Sequence, residues 1–307
     1  MKKDVRAPQK FASLSEAHGT FGLPQPKHPL ISLLNSKNGN RPEGHQQPHQ
    51  HVLSFYKISY KTRLDGRIKY GQSYYDFGEG GLLFASPGQI IGNEDNDTHL
   101  CSDYTLLIHP DFLLGYPLMK KIKQYGFFSY AANETLHLST QEKDTILSIF
   151  SFMENELDSR TDDFSQDVII SQLDLLFNYA NRFYKRQFIT RKAINNDLLQ
   201  RMEEIIEEYF DNERSLSEGL PSVQFLAEQL NLTPSYLSDM LRNLTGQNAQ
   251  QHIHAKLIEK AKEKLSTTRL SVSEVAYALG FEHSQSFSKL FKTKTDLSPL
   301  EYRKSFN

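Results

Sequence analysis

Cysteine is nearly absent from this sequence. Its 307 residues include one cysteine, Cys101, which excludes an internal disulfide and a zinc site of four thiolates. Long apolar runs are absent too: no stretch approaches the ~18 apolar residues of a membrane span, and the first residues lack the apolar core of a secretory signal. These absences predict a cytoplasmic protein without a membrane partner.

An excess of either charge is also missing. The chain has 35 Lys and Arg against 37 Asp and Glu, a formal net charge of -2, so its overall field gives no sign of nucleic-acid binding. Any contact with nucleic acid must therefore come from a local surface. At ~150 residues for a typical domain, the length predicts two domains.

The first half changes from proline-rich to strand-forming sequence. Prolines concentrated between residues 24 and 48 predict an irregular lead-in over residues 1–50. Residues 52–91 then hold short runs rich in Tyr, Phe, Ile and Leu, separated by glycine-containing turns, and residues 105–110 add another. This spacing predicts an antiparallel sheet or small barrel.

Two amphipathic helices follow the strands. Ser139 and Glu142 form a capping box before a first apolar stripe. A second helix begins near Phe164 and carries a stripe from Ile169 to Tyr184. The stripes predict either docking on the sheet or self-association of two chains through the helix pair. Residues 189–196 lack an apolar stripe, which predicts a linker between the two domains.

The last ninety residues contain an internal repeat, preceded by an amphipathic, Glu-rich helix over residues 198–210 and a loop over 211–221. Val223, Leu226, Ala227, Leu230, Leu232 and Ser235 recur 49 positions later as Val272, Val275, Ala276, Leu279, Phe281 and Ser284. Each copy predicts a helix, a tight turn and a second helix, and residues 249–265, which lack Gly and Pro, predict a helix of roughly 25 Å between the copies. The predicted caps are Thr233 before Pro234, Ser271 with Glu274, Gly280, Ser284, and Ser298 with Glu301.

Periodicity alone leaves two interpretations of this repeat open. Two helix-turn-helix units held by one helix suit DNA, because successive major-groove faces lie ~34 Å apart. An all-helical interaction domain gives the same pattern. The motifs favour DNA: LAEQLNLTPSYLSDMLRNLTG (226–246), KLIEKAKEKL (256–265) and SVSEVAYALGFEHSQSFSKLFKTKTDLSPLEYR (271–303) resemble the DNA-binding domain of the AraC/XylS family of bacterial transcription regulators.

This resemblance covers residues 195–307 and implies double-stranded promoter DNA and RNA polymerase as partners, activation of transcription, and a homodimer. Leu241, Lys256 and Asp296 stand where the family usually has Phe, Arg and Gly. Asp296 therefore predicts a turn that tolerates aspartate.

The second helix of each unit is the predicted reading helix. Leu237 and Leu241 in the first, and Phe287, Leu290 and Phe291 in the second, are expected to point inward. The outward positions are the candidates for contacting bases: Ser235, Ser238, Asp239, Arg242, Gln285, Ser286, Ser288 and Lys289. Asp239 either accepts a hydrogen bond from cytosine or pairs with Arg242 at i+3.

Charge within the last domain is uneven. Residues 221–307 hold 11 Lys and Arg against 8 Asp and Glu, whereas residues 195–220 hold 2 against 8. The leading helix is therefore expected to face away from DNA. The candidates for phosphate contacts are Lys292, Lys294, Arg303 and Lys304.

A strand-rich domain ahead of such a DNA-binding domain resembles the cupin-like sensor half of the same family. The resemblance implies a small-molecule effector in the barrel and dimerisation through the helices that follow. Alternating aromatics either fill the barrel core or line the effector pocket. The pocket candidates are Tyr56, Tyr60, Tyr70, Tyr74 and Phe77.

The alternative function is a metal-dependent cupin enzyme with a DNA-binding appendage. His45, His49 and His51 form a cluster, but the remaining ligands of a cupin metal site are missing, so no metal and no cofactor are predicted. No nucleophile with its base occurs at a recognisable spacing. DNA-repair methyltransferases that share this DNA-binding unit need a cysteine set on zinc, which one cysteine excludes. A binder without any effector is a third possibility.

The sequence thus predicts an α+β multidomain protein that is not an enzyme. A cupin-like β-barrel with trailing helices is assigned to residues 51–188, a linker to 189–196, and an all-α domain with two helix-turn-helix units to 197–307. The predicted function is a sequence-specific DNA-binding transcription regulator, with effector and target DNA unassigned.

Overall fold

The computed structural model describes residues 8–35, 50–61, 68–70, 73–75, 81–92, 103–131, 134–160 and 162–306. The chain divides into two compact units, residues 1–187 and 188–307. In the described ranges, every strand lies in the first unit. The strands are Gln9–Phe11 (β1), Ile31–Asn35 (β2), Gln50–Leu53 (β3), Tyr56–Lys61 (β4), Ile68–Tyr70 (β5), Ser73–Tyr75 (β6), Gly81–Ala85 (β7), Ile90–Gly92 (β8), Tyr104–Ile108 (β9) and Leu136–His137 (β10).

Helices occur in both units and dominate the second. The helices are Leu14–Thr20 (α1), Leu118–Lys121 (α2), Thr140–Asp158 (α3), Ser165–Thr190 (α4), Lys192–Asp211 (α5), Arg214–Glu218 (α6), Val223–Leu230 (α7), Pro234–Thr245 (α8), Ala249–Thr267 (α9), Val272–Ala278 (α10), Ser284–Thr295 (α11) and Pro299–Lys304 (α12). No helix in the described part of the chain is long and apolar enough to cross a membrane.

The strands of the first unit form open sheets. A five-stranded sheet has the order β10-β7-β4-β9-β2, a three-stranded sheet the order β1-β3-β8, and β5 pairs with β6. The central strand β4 is antiparallel to both neighbours, with Ile58 opposite Phe84 and Leu106. The predicted α+β architecture is confirmed at this level, whereas the described strands do not close into a barrel.

Aromatic residues fill the space between one face of the five-stranded sheet and the helices. Tyr104 stacks on Phe150 of α3, with ring centroids 5.2 Å apart, and Phe84 contacts Tyr184 of α4 at 6.4 Å. Leu173 and Phe177 of α4 are fully buried. Docking of the helix pair on the sheet is therefore confirmed, and this packing removes the predicted apolar stripes from water.

Two predicted boundaries are wrong. Residues 1–50 are not an irregular lead-in throughout, since they contain β1, α1 and β2; neighbouring strands supply pairing that overrides the local proline signal. Residues 189–196 are not an extended linker, since all of them except Arg191 lie in α4 or α5. The buried Asn195 side chain explains this difference, because its amide donates to the Phe188 carbonyl at 2.7 Å and satisfies the end of α4.

The caps of the second unit largely follow the predictions. The capping boxes of Ser271 with Glu274 and of Ser298 with Glu301 are present. The Ser139 and Glu142 box of α3 in the first unit is present as well. Ser284, however, is the first residue of α11 rather than its cap, a position that His283 takes without a side-chain hydrogen bond. The predicted loop over 211–221 contains the short helix α6.

Candidate nucleic-acid interface

The first helix-turn-helix unit consists of α7 and α8. Asn231 ends α7 in the left-handed conformation, at φ 55°, and the Leu232 amide donates to the Ala227 carbonyl at 2.8 Å. Thr233 then caps α8 by accepting from the Tyr236 amide, and Pro234 occupies the first turn. The turn between the two helices is therefore fixed by hydrogen bonds at both ends.

The second unit, α10 and α11, repeats this turn. Gly280 has φ 91°, and the Phe281 amide donates to the Ala276 carbonyl at 3.0 Å, as Leu232 does to Ala227 in the first unit. Asp296 ends α11 in the left-handed conformation, at φ 62°. The turn that tolerates aspartate is confirmed, because Asp is among the few residues that adopt this conformation at modest cost.

Both reading helices are held by their inner faces. Leu237 and Leu241 of α8, and Phe287 and Phe291 of α11, are fully buried, as predicted; Leu290 is only half-buried. Phe287 lies between Phe281 and Phe291, with ring centroids 5.4 and 5.7 Å away. This packing fixes the direction in which the outer side chains of each helix point.

The outer face of α8 carries an ion pair. Arg242 donates to the Asp239 carboxylate at 2.7 Å, so the predicted i+3 pairing is the arrangement that the structure contains. Arg242 is exposed, and Ser235, Ser238 and Asp239 are half-buried. Because the carboxylate neutralises the guanidinium, the first unit presents little net positive charge from its reading helix.

The outer face of α11 is more open. Gln285, Ser286 and Lys289 are exposed, and Ser288 is half-buried. Among the described residues, no carboxylate lies within ion-pair distance of Lys289. The structure brings these four side chains together on one helix, where an amide and an ammonium suit adenine and guanine edges.

The candidates for phosphate contacts differ among themselves. Lys292, Lys294 and Lys304 are exposed. Arg303 is half-buried, and its Nε donates to the Leu265 carbonyl at 3.1 Å. Arg303 therefore joins α12 to the end of α9, a structural contact that a charge count could not reveal.

The acidic helix α5 neutralises lysines of α9, the helix that joins the two helix-turn-helix units. Lys260 of α9 contacts Asp211 at 2.6 Å and Glu207 at 3.6 Å, and Lys256 contacts Glu207 at 3.4 Å. The hydrogen bond that Lys260 donates to Asp211 holds the pKa of Lys260 above its ordinary value. Lys256 and Lys260 are thus paired within the protein, whereas Lys292, Lys294 and Lys304 of α11 and α12 are exposed.

Two of the pocket candidates, Tyr56 and Tyr60, lie on the helix-facing side of the five-stranded sheet. Tyr56 contacts Phe128 edge to face at 5.1 Å, and both Tyr56 and Tyr60 are buried. Tyr70 and Tyr74 lie in β5 and β6, and Phe77 lies outside the described residues. For Tyr56 and Tyr60 the core interpretation is therefore the correct one. The sequence predictions did not include the opposite face of β4, although the alternation of the other β4 residues with Tyr56, Ile58 and Tyr60 indicates that face.

The predicted histidine cluster is only partly described. His45 and His49 lie outside the described residues, and His51 is buried in β3 against Phe21, with ring centroids 5.2 Å apart. Burial, with the nearby Lys57 charge, lowers the pKa of His51 to about 4. No group of three His, Cys, Asp or Glu side chains within the described ranges is arranged to hold a metal ion.

Comparisons with known proteins agree with the geometry of the second unit. A family model described as a helix-turn-helix domain matches residues 226–305. The chain is 24% identical over 297 residues to the HTH-type transcriptional activator RhaS of Salmonella heidelberg, covering 93% of this chain and 96% of that protein. An uncharacterized HTH-type transcriptional regulator of Staphylococcus aureus is 29% identical over 149 residues, which cover 48% of this chain and 18% of that protein.

A search of solved structures matches part of the chain. The C-terminal domain of the two-component response regulator yesN from Fusobacterium nucleatum is 33% identical and covers 33% of this chain and 96% of that domain, with a TM-score of 0.29.

Proposed function

Since the second unit of this chain is a DNA-binding domain of the AraC/XylS type, in a DNA-binding transcription regulator, we propose that the protein activates transcription when its first unit binds a small molecule. The observation that carries the proposal is the doubled turn of Ala227 with Leu232 and of Ala276 with Phe281. It sets two reading helices on one scaffold.

The spacing of the two helix-turn-helix units suits one face of a DNA duplex. They are joined by α9, whose 19 residues give a helix of about 28 Å. This length is comparable to the ~34 Å between successive major-groove faces. The similarity over 93% of the chain to a protein named as a transcriptional activator supports activation.

The second reading helix is proposed as the main base reader. Gln285 and Lys289 are one turn apart on the exposed face of α11, whereas the first reading helix has its arginine paired with Asp239. Changing both Gln285 and Lys289 to Ala is expected to remove specific binding, since each good base contact contributes about 1–3 kcal/mol of discrimination. Binding of unrelated DNA should change much less.

An electrophoretic shift assay tests this proposal, using DNA upstream of the chain's own gene and of its neighbours, with unrelated DNA as competitor. The matched control changes Gln200 and Lys120 to Ala, a glutamine and a lysine exposed on α5 and α2. No shift by the unaltered protein at low salt, or equal binding by the Gln285 and Lys289 variant, would count against the proposal.

A homodimer and contact with RNA polymerase form part of the proposal. The outward face of α4 exposes Phe164, Val168 and Leu175, which line a shallow apolar groove together with Ser171 and Gln172. Their spacing is that of one helix face. Large exposed apolar side chains grouped on one face favour a protein partner, and a second copy of α4 is the partner proposed for this groove.

A further inference from the structure

The central strand of the five-stranded sheet has two chemically different faces. Tyr56, Ile58 and Tyr60 point toward the helices, so Lys57, Ser59 and Lys61 point the other way, because successive side chains of a strand alternate. Ser59 and Lys61 are 3% and 6% exposed. We refer to the face that carries Lys57, Ser59 and Lys61 as the inner face.

The strand register identifies what lies beside these groups on the inner face. Ser59 is opposite Leu83 of β7 and Thr105 of β9, and Lys57 is opposite Ala85 and Leu107. Leu107 belongs to an apolar cluster with Phe11, Leu14, Leu53 and Phe55. The inner face is therefore apolar near Leu107 and polar along β4.

Several polar groups around this face lack a hydrogen-bond partner. The Ser59 Oγ and the His51 Nδ1 are buried without one, and among the described residues no carboxylate lies within ion-pair distance of Lys57. A buried hydroxyl or ring nitrogen without a partner is costly. Groups of this kind gathered on one face indicate a ligand that supplies the missing acceptors.

His51 lies near the same face from the neighbouring sheet. Its ring centroid is 6.2 Å from that of Phe11, which belongs to the cluster that contains Leu107. Burial is the larger cause of the low pKa of His51, and the charge of Lys57 is the second. Burial also lowers the pKa of Lys57. At neutral pH His51 is uncharged, so its ring offers one N–H donor and one acceptor.

We propose that the inner face binds the anionic group of a small molecule, a carboxylate or a phosphate, with Lys57 supplying the charge and Ser59 and His51 supplying hydrogen bonds. The inference rests on the proposed function, in which the first unit senses a small molecule, and adds the ligand's chemical class. A lysine and a donor hydroxyl suit an anion better than a neutral polyol, which would not compensate the Lys57 charge.

Thermal unfolding and titration calorimetry of the full chain test the proposal with defined probes. The phosphate arm uses inorganic phosphate and glucose 6-phosphate, the carboxylate arm uses citrate and gluconate, and glucose is the neutral probe. We expect one anionic arm to raise the melting temperature, because a ligand that binds only the folded state stabilises it. Glucose should leave the melting temperature unchanged.

Two substitutions locate the binding. Lys57→Gln should weaken the anion's affinity by about ten- to a hundredfold, the usual effect of losing a hydrogen bond to a charged group, and Ser59→Ala by about tenfold or less. Lys120→Gln, on an exposed lysine, is the matched control. Ser59→Ala removes a single unpartnered hydroxyl, so it keeps the test decisive should Lys57→Gln fail to fold.

The outcomes separate this inference from the proposed function. Stabilisation by glucose alone, no stabilisation by either anionic arm, or an affinity unaffected by Lys57→Gln and Ser59→Ala would overturn the inference. The same preparation is assayed for DNA binding. If DNA is bound and no anion is, this inference alone fails; if an anion is bound and no DNA is, the proposed function alone fails.

Discussion

The pair of Asp239 and Arg242 makes the two reading helices unequal. Both side chains lie on the outer face of α8, and the carboxylate sits among positions expected to approach DNA. A carboxylate there repels phosphates and also withholds the guanidinium from them. We therefore expect the pair to limit how strongly the first helix-turn-helix unit binds.

Asp239→Ala is expected to strengthen DNA binding several-fold and to weaken discrimination between sequences. If the released Arg242 engages a phosphate, the logarithm of the binding constant should fall more steeply with the logarithm of salt concentration, by about 0.9. The free energy of unfolding should change by less than about 1 kcal/mol, since the pair is exposed. Fluorescence anisotropy over a salt series measures the slope.

The control for this prediction is the double variant Asp239→Ala with Arg242→Ala. It removes the carboxylate without releasing a cation, so its salt slope should match that of the unaltered protein. An unchanged affinity and slope for Asp239→Ala would show that this face of α8 does not approach DNA.

His51 should make the stability of the protein depend on pH. Its pKa is about 4 when folded against about 6.5 unfolded, so the unfolded chain binds the proton more readily. The stabilising contribution is complete above about pH 6.5 and is lost as pH falls through 4, at a rate on the order of 1 kcal/mol per pH unit. His51→Asn should flatten this dependence in urea unfolding at several pH values.

The matched control is His283→Asn, at an exposed histidine ahead of α11. A pH dependence that is the same in His51→Asn and in the unaltered chain would contradict the assignment of His51 as its source.

At the scale of elements, the turn of the second unit depends on close packing as well as on its backbone conformation. Gly280 lies against Gly219, so an added Cβ would be 2.6 Å from the Gly219 carbonyl carbon and 2.7 Å from its oxygen. Because the atoms on both sides of this contact belong to the backbone, neither side can shift easily to make room for the added Cβ. The loop after α6 and the turn after α10 are thus held together at these glycines.

Gly280→Ala should destabilise the second unit by about 2 kcal/mol or more, because the left-handed conformation alone costs ~1–2 kcal/mol and the contact adds to it. Gly246→Ala is the matched control, since Gly246 has φ 78° with nothing within 4 Å of the added Cβ. It should cost only the conformational part. Urea unfolding of both variants measures the difference between their free energies of unfolding. Equal losses of stability would mean that the backbone around Gly219 shifts to accommodate the added Cβ.

At the scale of the whole molecule, the exposed face of α4 is the surface that we propose for the association of two chains. Val168→Glu combined with Leu175→Glu should convert a dimer into a monomer, because the substitutions place charges where a second apolar helix would pack. Size-exclusion chromatography with light scattering measures the mass. Leu216→Glu, at an exposed leucine of α6, should leave the dimer intact. A dimer that survives the double substitution would place the interface elsewhere.

How well each feature is predicted from the sequence depends on how far apart in the chain its interacting residues lie. The capping boxes, the doubled turns and the inward side of each reading helix depend on residues within about five positions, and the sequence predicted them. The helical junction around Arg191 and the strands among the first 35 residues depend on partners farther along the chain. Neither the number of prolines nor the absence of an apolar stripe can identify those partners.

By itself the sequence determined the helix-turn-helix repeat, its caps, its inward apolar side chains and the class of partner, because local hydrogen bonding and a period of 3.6 residues specify these features. Only the tertiary structure decided that Arg242 is paired, that Arg303 holds α12, and that β4 presents tyrosines to the helices and lysines to the inner face. Those outcomes depend on which elements pack together, and packing brings together residues that are distant in the chain.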